Sequence, residues 1–441
     1  MTRSAILRGW GRSGVPGREV LSEDLESLTV GAVLTRGLGR AYGDAALPPE
    51  GVEEVAGSRR ANRILGLDEA TGMLRAEAGL SLLDLNRLLL PQGWFVPVSP
   101  GTQHVTLGGM VAADVHGKNH HRSGTIGRHV SSLRLRVPDG RVLEVSREVE
   151  AELFRATLGG MGLTGHVLEV ALAMEPVPGS SIVSESRRFP RLEPLAEALV
   201  ASGREWPLTA AWVDGLATGA SLGRGVLLVG RWAEDGEAPD STRDSGPLVS
   251  VPMDAPSFLL NRASVGAFNA LYYRRHSRLP RRVAVSYESF FYPLDVVGSW
   301  NRLYGRRGFT QYQCVIPRER GIDGLVRFWR RMHELGGWPF LVVLKDFGAE
   351  GEGILSFPRP GFTLALDFPL GAGTGALVAG LNREARTLGG RIYLAKDALS
   401  TAEDFLAMEG ERVQRFREVK RRWDPQNRVR SRLSDRLGLG P

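Results

Sequence analysis

Four lysines stand out in a chain that carries almost all of its positive charge on arginine. Only four of the 56 Lys and Arg residues are lysines. Lys118 lies in a histidine-rich segment, Lys345 and Lys396 lie in apolar segments, and Lys420 lies in a short basic run. Lysine is a compact cation with three donors, whereas arginine is a rigid planar fork. The first three lysines therefore predict a site where an ammonium group meets an anion or a reducible ring. The basic run around Lys420 is typical of surface charge.

Glycine-rich segments predict a binding site for a large anionic ligand. Residues 35–44 contain three glycines within seven positions, which allows backbone N–H groups to converge on a diphosphate. Their spacing differs from the dinucleotide fingerprint of a Rossmann unit. Residues 101–109 and 157–165 are also rich in glycine, and Gly108 and Gly109 would let a planar ligand approach the backbone closely. Any one of these segments could also be a simple turn.

The histidine-rich segment 116–121 admits two interpretations. His116 and His120 are four residues apart, which on a helix would place two metal ligands on one face. However, Gly117 weakens a helix, and no third ligand lies nearby in the sequence. The pattern therefore favours polar contacts to a ligand, with Lys118 directed at a phosphate, over a metal site.

Hydrophobic periodicity predicts the elements that position these residues. Residues 63–67 and 73–78 form one hairpin, residues 133–137 and 141–145 form another, and a helix capped by Ser81 ends at Pro91. Strand-like residues 32–34 lead into the first glycine-rich segment. In the strand 311–316, Gln311 and Gln313 lie on one face, and Tyr312 and Cys314 on the other. The thiol is therefore predicted to lie in the core.

Length and composition limit the class of protein. A chain of 441 residues predicts two domains or three, with a boundary near residues 176–179. The net charge of +7 allows contact with a phosphate-bearing ligand or a lipid surface, but no nucleic-acid-binding motif is present. No signal peptide or membrane-spanning run is seen, so a cytoplasmic or peripheral membrane location is expected. A single cysteine excludes an internal disulfide.

Two segments between residues 180 and 390 are predicted to be irregular. Residues 233–247 are polar and read as a loop. Residues 258–282 mix apolar residues with arginines, which indicates either a core helix followed by a basic loop or a flap that meets lipid.

Residues 36–44, 116–121, 311–313 and 393–397 together resemble the decaprenylphosphoryl-β-D-ribose 2′-oxidases, a family of the vanillyl-alcohol-oxidase/p-cresol-methylhydroxylase flavoprotein superfamily. The resemblance implies an α+β, two-domain FAD-binding fold of the vanillyl-alcohol-oxidase/PCMH type. Residues 1–178 and 391–441 would build the FAD-binding domain. Residues 179–390 would build a substrate domain with an antiparallel sheet.

The resemblance also assigns residues to roles. Lys396, His116 and Tyr292 would be catalytic, with Lys396 stabilising negative charge on the flavin and His116, Tyr292 or a water as the proton acceptor. The substrate would contact Lys118, Gln311, Gln313, Lys345, Thr363 and Ala365. FAD would be held by Thr35, Arg36, Gly37, Leu38, Gly39, Arg40, Ala41, Tyr42, Gly43, Asp44, Gly101, Thr106, Leu107, Gly108, Gly109, Ala113, Asp114, Val115, His116, Val167 and Tyr393.

The implied reaction is oxidation of the 2′-hydroxyl of a polyprenylphosphoryl-β-D-ribose to the 2′-keto sugar, by hydride transfer to flavin N5. This would be the first half of an epimerisation to the arabinose donor for cell-wall synthesis. An NADH-dependent keto-reductase would be a partner, and a quinone or another acceptor would reoxidise the flavin. Contact with a membrane as a peripheral protein would be compatible with such a substrate.

The sequence departs from this family in two substrate positions. Ala365 stands where the mycobacterial enzymes have the cysteine that nitroaromatic inhibitors trap, and Thr363 replaces an asparagine. Only reversible binding of such inhibitors is expected, without a stable adduct in an intact-mass spectrum. The first glycine-rich segment lacks the histidine that attaches flavin covalently in many superfamily members, and no cysteine lies in the second. Noncovalent FAD is therefore expected.

Other functions are compatible with parts of the sequence. A related FAD-dependent alditol or aldonolactone oxidase would keep the flavin-binding segments, but Lys118 and Lys345 favour a charged substrate. A non-enzymatic flavin or lipid-phosphate binding protein would have no need of Lys396. A metal hydrolase would need ligands beyond the histidine-rich segment.

Overall fold

The computed structural model describes residues 6–234, 236–237, 249–256 and 259–441. Most of the predicted loop 233–247 lies outside these residues. No helix in the described ranges is both long and apolar enough to cross a membrane.

Two sheets carry the N-terminal part of the chain. A parallel sheet places Glu54–Gly57 between Arg18–Leu21 and Thr35–Arg36. An antiparallel sheet has the spatial order Val142–Ser146, Val130–Arg136, His166–Ala173, Met73–Glu77 and Ile64–Asp68. Pairs of short strands are Ile6–Arg8 with Gly14–Pro16, Trp94–Phe95 with Glu175–Pro176, and Val249–Ser250 with Val297–Gly298.

An eight-stranded antiparallel sheet dominates the middle of the chain. Its spatial order is Arg281–Ser286, Ser181–Phe189, Gly225–Trp232, Leu208–Val213, Val342–Phe347, Gly361–Pro369, Phe309–Pro317 and Arg391–Ile392. Helices Leu192–Ser202, Gly321–Glu334 and Thr374–Thr387 pack against this sheet. The division of the chain into domains at residues 178 and 390 stays a prediction, and the strand Arg391–Ile392 joins the edge of the eight-stranded sheet.

The remaining helices have at most eight residues, except Arg262–Arg275 and Ala402–Trp423. They are Leu25–Leu28, Leu82–Leu89, Leu107–Ala112, His120–Ser123, Ala151–Thr157, Arg262–Arg275, Tyr287–Phe291, Ala402–Trp423 and Arg432–Leu437. Single 3₁₀ turns lie at Ser58–Arg60, Leu90–Gln92, Ile126–His129, Gly219–Ser221, Trp300–Tyr304 and Arg318–Arg320. The mixture of helices and mainly antiparallel sheets confirms the predicted α+β class.

The predicted hairpins and the helix after Ser81 are confirmed. Met73–Glu77 pairs with Ile64–Asp68, and Val142–Ser146 pairs with Val130–Arg136. The Ser81 hydroxyl accepts a hydrogen bond from the backbone N–H of Asp84, as an N-cap should. The strand before the first glycine-rich segment lies at Thr35–Arg36 and not at residues 32–34, because only those two residues pair with Glu54–Gly57.

The interpretation of Lys420 as surface charge is wrong. Its side chain is fully buried, and its ammonium group donates to the carbonyl oxygens of Leu163 and Val429 at 2.9 and 2.7 Å. It also forms an ion pair with Asp424 at 2.8 Å. Lys420 and Asp424 are four positions apart, so their ion pair closes the end of the long helix, and the bond to Leu163 anchors it to the N-terminal part. The neighbouring Arg421 is exposed, which explains why the basic run as a whole was predicted to lie on the surface.

Candidate active site: a flavin cradle facing a lysine-bearing sheet

The loop after Thr35–Arg36 presents unused backbone donors. Within the described residues, the N–H groups of residues 38–41 have no hydrogen-bond acceptor, and all four residues line one cavity. Gly39 adopts a φ of +64°, which bends the loop into this shape. The guanidinium of Arg40 lies 3.9 Å from the centre of the Trp10 ring, and its buried Nε has no partner. The loop is therefore suited to receive a diphosphate.

Two charged residues of this segment support the loop from behind. Arg36 forms an ion pair with Glu19 at 2.7 Å and donates to the carbonyl oxygens of Arg8 and Ala46. Asp44 accepts two hydrogen bonds from Arg436, which also forms a 2.8 Å ion pair with Asp397. Neither Arg36 nor Asp44 lines the cavity. These contacts fix the loop to the C-terminal segment that carries Lys396.

The second glycine-rich segment forms the opposite side of the cradle. Thr106 caps Leu107–Ala112 by accepting a hydrogen bond from the N–H of Gly109 at 3.2 Å. A Cβ atom at Gly108 would lie 3.0 Å from the Cβ of Ala78, so this helix and the sheet approach closely. After the helix, Asp114 is buried and its carboxylate accepts from the N–H of Gly127 and from the hydroxyl of Ser356.

Strand register places the predicted substrate residues on one face of the large sheet. Gln311 pairs with Asp367, and Gln313 pairs with Ala365. In the next strand, Lys345 pairs with Thr363. Paired residues share a sheet face, and residues two apart along a strand return to it. The opposite face buries Tyr312 and Cys314, which confirms the predicted core position of the thiol.

Lys396 lies over an aromatic ring and near a buried carboxylate. Its ammonium nitrogen is 3.7 Å from the centre of the Tyr42 ring. Burial lowers the pKa of Lys396 to about 7, while the Asp367 carboxylate opposes this shift. Burial raises the pKa of Asp367 to about 6, although it accepts hydrogen bonds from the Gln311 amide and the Tyr304 hydroxyl. Near neutral pH Lys396 is therefore positive and Asp367 negative, and small changes in their surroundings change the protonation of either group.

His116 is held as a neutral ring beside Gln313. The amide Nε2 of Gln313 donates to Nε2 of His116 at 3.0 Å and to the Thr363 hydroxyl at 3.1 Å. The ring proton then lies on Nδ1, which is buried and has no partner within the described residues. Burial lowers the pKa of His116 well below its ordinary value, and the nearby Lys345 adds to this effect.

Three further residues predicted for the site, Lys345, Lys118 and Tyr292, have surroundings that differ from one another. Within the described residues the Lys345 ammonium has no hydrogen-bond partner, and burial lowers its pKa to about 8. Lys118 donates to the carbonyl oxygen of Phe291 at 2.9 Å, and burial lowers its pKa to about 7. The Tyr292 hydroxyl is bonded to Ser99 at 2.6 Å and to Asn86 at 3.1 Å. Lys118 and Tyr292 do not line the cavity.

One cavity of about 300 Å³ brings most of the predicted site residues together. Its lining includes Lys396, His116, Gln311, Gln313, Lys345, Thr363, Ala365, Thr35, Gly37, Leu38, Gly39, Arg40, Ala41, Tyr42, Gly101, Thr106, Gly108, Gly109, Ala113, Val115, Val167 and Tyr393. Five predicted cofactor residues lie behind this lining, namely Arg36, Gly43, Asp44, Leu107 and Asp114. Their roles stay predictions.

Some residues of the site were not identified from sequence. Asp367 approaches Lys396, and Asp295 lines the cavity while accepting hydrogen bonds from Thr102 and the N–H of Gln103. Met161 and Gly162 from the third glycine-rich segment also line the cavity. The glycine pattern around residue 162 was a visible signal. The two aspartates had none, because only the strand pairing and the loop packing bring them to the cavity.

The metal interpretation of the histidine-rich segment, which the sequence disfavoured, has no support from the geometry. Among the residues that the structure describes, no three His, Cys, Asp or Glu side chains converge on a position that could hold a metal ion. The ring centres of His116 and His120 are 6.3 Å apart, and both rings pack on Phe347.

The residues that line the cavity fit FAD in their chemistry. Free N–H groups at residues 38–41 and the unpartnered Nε of Arg40 suit the diphosphate. The cavity continues past Tyr393 to Lys396 and the glutamines of the sheet, where a flavin ring and a substrate would meet. This fold and site define an FAD-dependent oxidoreductase.

Comparison with known proteins agrees with this class and narrows it. Residues 31–146 match the family described as FAD binding domain. The chain is 34% identical to decaprenylphosphoryl-β-D-ribose oxidase of Mycolicibacterium smegmatis, over 99% of this chain and 98% of that protein. The chain therefore belongs to the decaprenylphosphoryl-β-D-ribose oxidase family.

Two further relatives match different shares of the chain. An uncharacterized protein in the mprA 5′ region of Streptomyces coelicolor is 36% identical over 82% of this chain and all of that protein. L-Gulonolactone oxidase of Mus musculus is 31% identical over only 26% of each chain. The similarity to L-gulonolactone oxidase therefore covers a much smaller part of the chain than the similarity to the decaprenylphosphoryl-β-D-ribose oxidase.

Proposed function

We propose that this protein oxidises the 2′-hydroxyl of a polyprenylphosphoryl-β-D-ribose to the 2′-keto sugar. The observation that carries the proposal is the match over 99% of the chain to an enzyme named for that sugar lipid. FAD, which residues 38–41 and the Arg40 side chain would hold by its diphosphate, would supply the hydride acceptor for oxidation of the ribose C2′ carbon. This oxidation would be the first half of an epimerisation to the arabinose donor.

Lys396 supplies positive charge beside the flavin ring. A buried ammonium group stabilises negative charge that develops during hydride transfer, because little water is present to screen it. The Asp367 carboxylate raises the pKa of Lys396 and so favours its charged form. Asp367 is itself held by Gln311 and Tyr304, which limits its movement. We assign Asp367 as a positioning residue that acts through Lys396.

The two glutamines orient the sugar. Gln311 donates its amide N–H to Asp367, and Gln313 donates to His116 and Thr363. The amide carbonyl oxygen of Gln313 has no hydrogen-bond partner within the described residues and can accept a hydrogen bond from a sugar hydroxyl, and Gln311 lines the same cavity. Of the proton acceptors considered, His116 lines the cavity, whereas the Tyr292 hydroxyl is occupied by Ser99 and Asn86. These contacts favour a water in the cavity as the proton acceptor; His116 would take up the proton only by giving up the hydrogen bond from Gln313 to its Nε2.

Lys345 selects a phosphorylated sugar over a neutral polyol, and Lys118, which lies outside the cavity lining, adds positive charge nearby. Lys345 lines the cavity without a hydrogen-bond partner, so its burial costs free energy until an anion arrives. The Lys118 ammonium already donates a hydrogen bond to the Phe291 carbonyl oxygen, which offsets part of the free energy that its burial costs. Its positive charge still repels that of Lys345. A phosphate between or beside them would relieve that repulsion.

The proposal includes noncovalent FAD as the cofactor, together with a reductase and an electron acceptor as partners. FAD is held noncovalently, because no cysteine or histidine occurs in the cradle segment 35–44, and acid precipitation should release the yellow flavin into solution. An NADH-dependent keto-reductase would reduce the 2′-keto product, and a quinone or another acceptor would take up the electrons. A location in the cytoplasm or at a membrane surface as a peripheral protein agrees with a lipid-linked substrate.

The proposal is tested by anaerobic mixing of the purified holoenzyme with a short-chain prenylphosphoryl ribose that dissolves in water. Bleaching of the flavin absorbance by this compound is expected. An alditol, an aldonolactone and the ribose without its prenylphosphate are the comparison compounds. Faster bleaching by the neutral sugars would contradict the proposed substrate class and move the assignment to the sibling oxidases.

A further inference from the structure

One exposed surface combines apolar side chains with arginines. It consists of Phe268, Leu271, Arg274, Arg275, Arg278 and Leu279, and we call it the basic surface. Phe268, Leu271 and Leu279 are 50%, 73% and 75% exposed. Isolated exposed leucines are common, but three large apolar side chains close together in one short segment indicate a contact surface.

The helix Arg262–Arg275 is fixed with this surface outward. Its inner side buries Val265, and the amide of the buried Asn269 donates to Asp214 at 2.7 Å. The Tyr272 ring packs on Trp212 with a centroid distance of 4.7 Å. Phe268, Leu271 and Arg275 follow each other at intervals of three and four residues, so they share one flank of the helix, next to its buried side. The helix cannot turn this side inward without losing its buried contacts.

The charged residues within this segment of the chain are all basic. Residues 255–286 contain six arginines and no aspartate or glutamate. Within the described residues, Arg282 forms an ion pair with Glu185 at 2.9 Å, whereas the three arginines of the basic surface form none. Arginines without carboxylate partners on a surface attract an anionic partner.

An aromatic cluster connects the helix to the active-site cavity. The Phe268 ring lies 6.1 Å from the Phe340 ring, which lies 5.8 Å from Tyr304. Tyr304 stacks on Phe309 at 4.1 Å, and Phe309 lies 5.4 Å from Trp300, which lines the cavity. Packed aromatic side chains therefore connect the cavity lining to the exposed helix.

We propose that the basic surface docks this protein on an anionic lipid bilayer. Phe268, Leu271 and Leu279 enter the boundary between headgroups and acyl chains, and the arginines contact lipid phosphates. The role of this docking rests on the proposed function: the prenyl chain of the substrate stays in the bilayer while its sugar phosphate reaches the cavity. The docking itself requires no substrate.

Vesicle flotation tests the docking with the holoenzyme alone. Wild-type protein should float with vesicles of phosphatidylcholine and phosphatidylglycerol, and much less with pure phosphatidylcholine. The double variant Arg274→Glu/Arg275→Glu should lose about tenfold or more in partitioning, since two attractive charges become repulsive. Phe268→Ser/Leu271→Ser should also reduce partitioning. Leu88→Ser and Arg204→Glu alter exposed residues elsewhere and should change nothing.

Equal flotation of the wild type and both surface variants would overturn the proposal, as would absence of wild-type flotation on anionic vesicles. Sedimentation of the lipid-free protein addresses a second copy of the chain as the occupant. A dimer that Phe268→Ser/Leu271→Ser dissociates would overturn the proposal in favour of self-association. A monomer in both cases, with flotation lost, supports it.

Kinetics separate this proposal from the proposed function. The surface variants should oxidise a water-soluble short-chain prenylphosphoryl ribose at the wild-type rate, but long-chain substrate in anionic vesicles several-fold more slowly. If flotation is lost and no prenylphosphoryl ribose is oxidised even by the wild type, the substrate assignment fails while the docking stands. If both variants retain the wild-type rate on vesicles and float normally, the docking fails.

Discussion

Two buried regions of this protein use lysine in opposite ways. Lys420, between the long helix and the N-terminal part, makes three hydrogen bonds, to Asp424 and to two carbonyl oxygens. Lys345 and Lys396 in the cavity make none within the described residues. A buried ammonium with all its protons bonded holds the structure together, whereas one left unbonded costs stability and is available to a ligand. Hydrogen-bond satisfaction, more than burial, separates the structural lysine from the functional ones.

The largest expected effect is a loss of stability on replacement of the structural lysine, Lys420. Lys420→Met would leave the Asp424 carboxylate buried without its partner, which should lower the free energy of unfolding by about 3–5 kcal/mol. Urea unfolding followed by circular dichroism measures this loss. Arg421→Met, at the adjacent exposed position, is the matched control and should change stability little. A Lys420→Met protein as stable as the control would remove the distinction between the two regions.

Lys396→Met should have the opposite profile. The rate constant of flavin reduction by substrate should fall by roughly 10²–10³-fold, because a charge aimed at the flavin is lost. The thermal unfolding midpoint should fall less than in Lys420→Met, since Lys396 has no hydrogen bond to lose and Asp367, with a pKa of about 6, can take up a proton once the ammonium is gone. Stopped-flow absorbance and calorimetry measure the two quantities. A large loss of stability with a normal reduction rate would assign Lys396 to the structure instead.

Lys345→Met should produce a smaller and more selective effect. Loss of a charged hydrogen bond to phosphate should weaken binding of the prenylphosphoryl sugar by about 10- to 100-fold. Turnover of a sugar without phosphate, however slow, should keep its KM. Steady-state kinetics with both compounds measure the difference. An equal rise in KM for both compounds would show that Lys345 does not recognise the phosphate.

Local sequence patterns predicted much of the site because period-two alternation and glycine spacing are local properties. Gln311 and Gln313 were expected on one face, and the structure places them there opposite Asp367 and Ala365. The first glycine-rich segment was expected to offer free N–H groups, and residues 38–41 offer them.

Contacts between distant segments could not be predicted in the same way. Asp367 approaches Lys396 only through the pairing of two strands and the return of the chain after residue 390. Lys420 resembles its exposed neighbours in sequence, and its partners Leu163 and Val429 lie in loops that only tertiary packing brings together. The boundaries of the short strand at Thr35–Arg36 were likewise set by a partner strand rather than by local propensity.

The pH dependence of flavin reduction in the wild type and Asp367→Asn tests the central claim, that Lys396 acts as a cation supported by Asp367. The pKa of Lys396 is about 7, so the reduction rate constant should fall as pH rises through that value and the ammonium loses its proton. Asp367→Asn removes the charge that raises this pKa, so the fall should move to lower pH. Asp295→Asn alters another cavity carboxylate and should leave the midpoint in place. A rate that rises through pH 7, or a midpoint that Asp367→Asn does not move, would contradict the account.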